Sequence, residues 1–154
     1  MLYHISKLHL NEQELVKKAP LLVSILIAGA DGQIDHEEIE KAVKLVHTKS
    51  FSEQTDIRHL YREIDQEVEM SLNALIKGLP IDAEEREKRV SEQLEGLNPI
   101  MQKLEPSIAL DFYNSLRNFA VHIAQTSGGV LGTLTMNHHE KEVVKLPMLI
   151  KPVN

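Results

Sequence analysis

The feature that most constrains this chain is a helix-start signal that recurs along it. A short polar residue followed three places later by Glu or Gln can close a capping box, in which each side chain satisfies a free backbone N–H of the first turn. Asn11 with Glu14, Asp35 with Glu38, Ser50 with Glu53, Asp82 with Glu85 and Asn137 with Glu140 all fit this pattern. So many helix starts in 154 residues are hard to reconcile with a sheet.

The apolar spacing agrees. Leu15, Ala19, Leu22 and Leu26 fall on one helix face, with Pro20 expected to kink or restart that helix. Ile39, Ala42, Val43 and Val46 repeat the i, i+3, i+4, i+7 rule. Ile57, Leu60, Tyr61, Ile64, Val68, Leu72, Leu75 and Leu79 read as one long stripe, and Val90, Leu94 and Leu97 continue the theme. Gly96 reads as a helix end, and Asn98-Pro99 as a fresh start. Ala109, Phe112, Tyr113, Leu116, Phe119, Ala120 and Ile123 form the cleanest stripe. No strand-like alternation of useful length is present. Ser127 to Thr135 holds three Gly and reads as a loop, and the tail is expected to leave the helix near Pro147. The charged run from Asp82 to Glu95 reads as a solvated helix face. These signals predict one all-α domain over residues 1–154, a compact bundle of about six to eight helices.

Composition narrows the function. Without Cys there are no disulfides, thiolate metal sites or thiol nucleophiles. A net charge of -6, no Trp, and only three Phe and three Tyr argue against nucleic acid as a partner. Met1 to Leu10 lacks the basic-then-apolar order of a signal peptide. The longest apolar stretch, Ala19 to Ala30, is interrupted by Ser24 and Gly29. It falls short of the ~20 residues of a membrane span and reads as a core helix. A cytoplasmic protein is the expectation. No Ser elbow or phosphate loop is present, so no enzyme is expected.

Two loops look alike. In the first, an apolar helix ends, Asp31-Gly32 makes a turn, Ile34 points back to the core, and a helix capped by Asp35 starts. In the second, Ile123-Ala124 matches Ile27-Ala28, Ser127-Gly128 matches Asp31-Gly32, and Asn137-His138 with Glu140 matches Asp35-His36 with Glu38. This reads as a duplicated helix–loop–helix unit whose second loop is six residues longer. Asp31 to Glu38 has the form of the last eight positions of an EF-hand loop, but the first and third ligand positions would fall on Ile27 and Gly29. Neither side chain can bind a cation, so a normal EF-hand loop is not expected. A weaker site built from Asp31, Asp35, Glu38 and backbone carbonyls stands beside a purely structural reading. In that second reading Gly32 ends one helix, and Asp35 and Glu38 cap the next. His138 and His139 are adjacent and point apart, so they cannot easily chelate one ion; His36 and His122 would supplement them only if the two loops met in space.

The runs Leu21–Val46 and Leu110–Val144 resemble the TerB-like (tellurite-resistance) helical proteins. Those proteins show an apolar helix ending in Ala-x-x-Asp-Gly-x-Ile and then an acidic capped helix. Their second unit has a Ser-Gly-Gly loop before a Glu-Lys-Glu helix. The resemblance implies two units packed as a pseudo-symmetric pair and no catalytic activity. It also implies a link to stress or tellurite-resistance systems, and divalent metal bound by acidic residues near the loops. The positions that match are Asp31, Asp35, Glu38 and Glu140, with Asn137 a weaker match. Ser127 and Asn137 stand where the first unit has Asp31 and Asp35, which weakens a second site.

Two readings follow. One is a non-enzymatic accessory protein that binds a divalent cation at the acidic turn. The other is a helical interaction module with structural loops. Its apolar tail, from Val143 to Ile150, would dock on its own bundle, a second copy or a partner groove.

Overall fold

A computed structural model describes residues 2–34, 36–53, 55–127 and 138–153, with the backbone alone for Leu2, Asp31, Thr55, Thr126 and Ser127. The helices are α1 (Leu2–Ile5), α2 (Leu10–Ala28), α3 (His36–Ser52), α4 (Thr55–Asp65), α5 (Val68–Lys77), α6 (Ala83–Glu95), α7 (Leu97–Lys103), α8 (Pro106–Ser127) and α9 (His138–Val144). A 3-10 turn, Gly29–Asp31, follows α2. Among the described residues there is no strand, and eight of these helices have seven residues or more. The bundle is therefore the all-α fold expected. Among the described residues, no helix is long and apolar enough to cross a membrane.

At the centre lies α2. From Ala19 to Gly29 every residue is buried, as an element that is apolar on all faces must be. Pro20 does not restart the helix, which runs unbroken from Leu10 to Ala28. Inside it, the Ser24 hydroxyl donates to the Pro20 carbonyl at 3.0 Å and so stays satisfied in the core. The predicted stripe on α8 is buried from Ala109 to Ile123, and α8 packs along α2. The two units are arranged reciprocally: α3 packs on α8, and α9 packs on α2. Against α8 also lies α4, through a stacked Tyr61–Phe119 pair with ring centroids 5.8 Å apart. Burial there pushes the Tyr61 phenol above its ordinary range, and a hydrogen bond with Ser115 opposes that shift.

The helix starts are partly where expected. Asp82 caps α6, its carboxylate accepting from the Glu85 N–H at 3.0 Å. Gly96 ends α6, and α7 begins at Leu97. The start assigned to Asn11 and Glu14 lies two residues earlier. His9 is the N-cap, and its N–H donates to Glu12 at 3.0 Å. Glu12 also accepts from Lys103 at 2.6 Å, which ties the end of α7 to the start of α2. Ser50 starts no helix; it sits inside the last turn of α3, where its hydroxyl donates to the His47 carbonyl. The long stripe from Ile57 to Leu79 breaks between Asp65 and Val68, dividing α4 from α5.

The C-terminal tail belongs to the core. Leu146 is fully buried and takes φ 49, the left-handed region that ordinarily favours Gly at a helix end. Holding a Leu there costs about 1–2 kcal/mol, a cost that burial of its side chain can offset. Beyond it Leu149 is buried as well. The Asn98 amide clamps the tail from both sides: its NH2 donates to the Met148 carbonyl at 3.0 Å, and its oxygen accepts from the Ile150 N–H at 2.9 Å. Removing residues 147–154 should therefore lower unfolding free energy by about 3 kcal/mol, within the range for losing a buried Leu. Urea denaturation would measure the loss. Sedimentation of the same variant should give an unchanged oligomeric state.

Candidate functional site

The nominated residues lie around the turn that ends α2. The chain leaves the helix at Gly29, passes through the 3-10 turn and reaches Gly32 at φ 129, a conformation that L side chains rarely adopt. The Gly32 N–H donates to the Gly29 carbonyl at 3.0 Å. Ile34 then packs against the core, as expected.

The end of a buried helix leaves carbonyl oxygens that water cannot reach. Here Arg86 of α6 supplies the donors. Its Nη2 donates to the Gly29 carbonyl at 3.1 Å and to the Gly32 carbonyl, and its Nη1 donates to the Ile81 carbonyl at 3.4 Å. The side chain is buried. Gly29 accommodates this contact, because a Cβ there would come within 2.7 Å of Arg86 Nη2 and the guanidinium would have to shift. A single guanidinium therefore joins α6 to the turn.

This residue departs from the expected solvated face of α6. The signal is visible in the spacing. Arg86, Val90 and Leu94 follow at i, i+4, i+8, and all three are buried. An arginine in the register of an apolar stripe marks a buried cation with work to do on backbone carbonyls.

Of the four nominated metal ligands, Asp31 lies in the 3-10 turn, and Asp35 lies outside the described residues. Glu38 is half-buried on the first turn of α3, beside a small apolar hollow that Ile34, Ile39 and Ala42 also line. Glu140 is half-buried on the first turn of α9. That helix packs against the Gly29–Asp31 turn, so elements of both units meet there. Asn137 lies outside the described residues. Among the described residues no three His, Asp or Glu side chains group to hold a metal ion.

The histidines are dispersed. His139 pairs with Glu87 at 2.9 Å, and His36 pairs with Glu40 at 3.1 Å. His122 lies near Lys49 and Glu53, at the end of α3 opposite His36. Loss of solvation, and then the Lys49 ammonium, push His122 below the ordinary histidine pKa, with Glu53 opposing. A surface groove between α2, α4 and α5 carries Glu14, Lys17, Glu63 and Glu67. Its Lys17 and Glu63 are paired at 2.6 Å.

No protein-family model matches this chain, and no solved structure does. The chain is similar to an uncharacterized protein, ORF11', of Methanothermobacter thermautotrophicus. The two are 26% identical over 148 residues, covering 91% of this chain and 86% of the other.

The Arg86 contact has a measurable weight. Arg86→Met leaves the Gly32 carbonyl without its guanidinium donor and the Gly29 carbonyl with the Gly32 N–H alone, and should cost about 2–4 kcal/mol in urea denaturation. Arg86→Lys keeps the charge but not the forked donors, so it should recover only part of that loss. Gly29→Ala should cost about 1–3 kcal/mol by crowding the guanidinium.

Proposed function

We propose that this protein is a non-enzymatic helical accessory module, of the kind its resemblance to TerB-like stress and tellurite-resistance proteins implies, and that its loops are structural. It acts by contact with another protein or a second copy of itself. The observation that carries this reading is the guanidinium of Arg86 on the carbonyls of Gly29 and Gly32. A hard cation needs about six to eight oxygen ligands, and the carbonyl part of the first loop is already engaged with a cation of the protein's own. Contact with a partner is supported by large apolar side chains that stand in solvent, among them Phe51, Met70 and Ile81.

A second reading is favoured by a separate observation. The packing of α9 on the Gly29–Asp31 turn brings the helix of Glu140 to the turn that carries Asp31. A divalent cation held by Asp31, Asp35, Glu38 and Glu140 would draw on both units at that place.

One titration separates the readings. Metal-free protein is followed by amide NMR while calcium, magnesium, manganese and zinc are added in turn. The structural reading expects no saturable shift at residues 29–38 or 138–140 up to millimolar cation. Saturable shifts confined to those residues, lost in Asp31→Asn, would establish the second reading and sink the first.

A further inference from the structure

Two consecutive residues of α6 reach the two units separately. Arg86 holds the turn of the first unit through the Gly29 and Gly32 carbonyls. Glu87 holds the second unit through His139, on the first turn of α9, at 2.9 Å. The far half of α6 is fixed by Val90 and Leu94, both fully buried. Its near end is different. Ile81, Asp82, Glu84 and Glu85 are all exposed, so the first turns of α6 have little apolar anchorage of their own.

We propose that the start of α6 is a clasp that couples the two helix–loop–helix units. One rigid helical turn carries both contacts, so a displacement that frees Arg86 from the carbonyls also draws Glu87 away from His139. The two contacts are unequal. The Arg86 contact is buried and forked, whereas the His139–Glu87 pair is exposed, where ion pairs contribute little. The clasp is therefore asymmetric: opening it at the first unit loosens the second, while opening it at the second leaves the first in place. A partner or ligand that pulls the Gly29–Gly32 turn off Arg86 would in this way loosen the hold of α6 on α9, which keeps its packing on α2 and α8. This coupling does not depend on whether a metal binds.

Hydrogen exchange followed by mass spectrometry on the full chain tests it, with α4 and α5 as the internal reference. In Arg86→Met, amides of the Gly29–Gly32 turn should exchange on the order of ten-fold faster relative to that reference, and those of α9 about two- to five-fold faster, the effect that loss of an exposed ion pair allows. In Glu87→Gln only α9 should quicken. If Arg86→Met does not fold, Arg86→Lys should show the same pattern more weakly. Faster exchange at the turn with α9 unchanged, or α9 rising only in step with α4 and α5, would overturn the clasp. So would a rise at the turn in Glu87→Gln.

Discussion

Everything in this bundle is arranged around the enclosure of α2. The second half of that helix is apolar on every side and buried on every side. An element of this kind cannot lie on a surface. It must be wrapped, and α3, α5, α6, α7, α8 and α9 all pack against it. The reciprocal packing of the two units, α3 on α8 and α9 on α2, puts the first helix of each unit against the other and closes the second helix of each over its counterpart. Burial of the paired apolar faces supplies the driving force at roughly 25 cal/mol per Å².

Enclosing a helix creates a difficulty at its end. Surface helices leave their last carbonyls to water, but Ala28 and Gly29 are buried. The forked donor of Arg86 resolves this, and its demands explain its neighbours. A Cβ at Gly29 would crowd the guanidinium at 2.7 Å and force one of them to shift. Gly32 turns through φ 129, which leaves its own carbonyl facing the same guanidinium. A motif that looks like the remains of a cation-binding loop is thus also the geometry needed to seat an arginine. Both chemistries ask for convergent carbonyl oxygens. The local sequence Asp-Gly-x-Ile does not distinguish them, and the donor that engages these carbonyls comes from distant residue 86.

That distance marks the limit of what the sequence made legible. Local signals with one strong reading survived: the α8 stripe, the all-apolar α2, the Asp82 cap and Gly96. Signals with two local solutions did not. His9 with Glu12 competes with Asn11 and Glu14 for the same i, i+3 contact, and the earlier pair wins because it extends the helix and lets Glu12 meet Lys103. Ser50 has the right partner at Glu53, but its hydroxyl bonds back to His47 and α3 continues past it. Burial and long-range pairing decided these cases, and neither is written in the local pattern. Arg86 was the readable exception. Its register with Val90 and Leu94 carried the signal, but a dense run of surrounding charge disguised it.

The tail is governed by the same logic as the turn. An apolar C-terminal segment without a partner would expose Leu146 and Leu149, and a bundle with an open edge would expose the side chains beneath them. Each covers the other, so the tail is a poor candidate for a docking arm. Its register is set by a single amide, since Asn98 both donates to and accepts from the backbone on either side of Leu149. With Leu146 and Leu149 folded inward, the large apolar side chains left exposed include Phe51 at the end of α3, Ile81 beside the clasp and Ile150 of the tail itself. Ile81 joins the two themes. Its side chain stands in solvent while its carbonyl accepts from Arg86, so a solvent-facing residue is tied to the side chain that engages the end of the central helix.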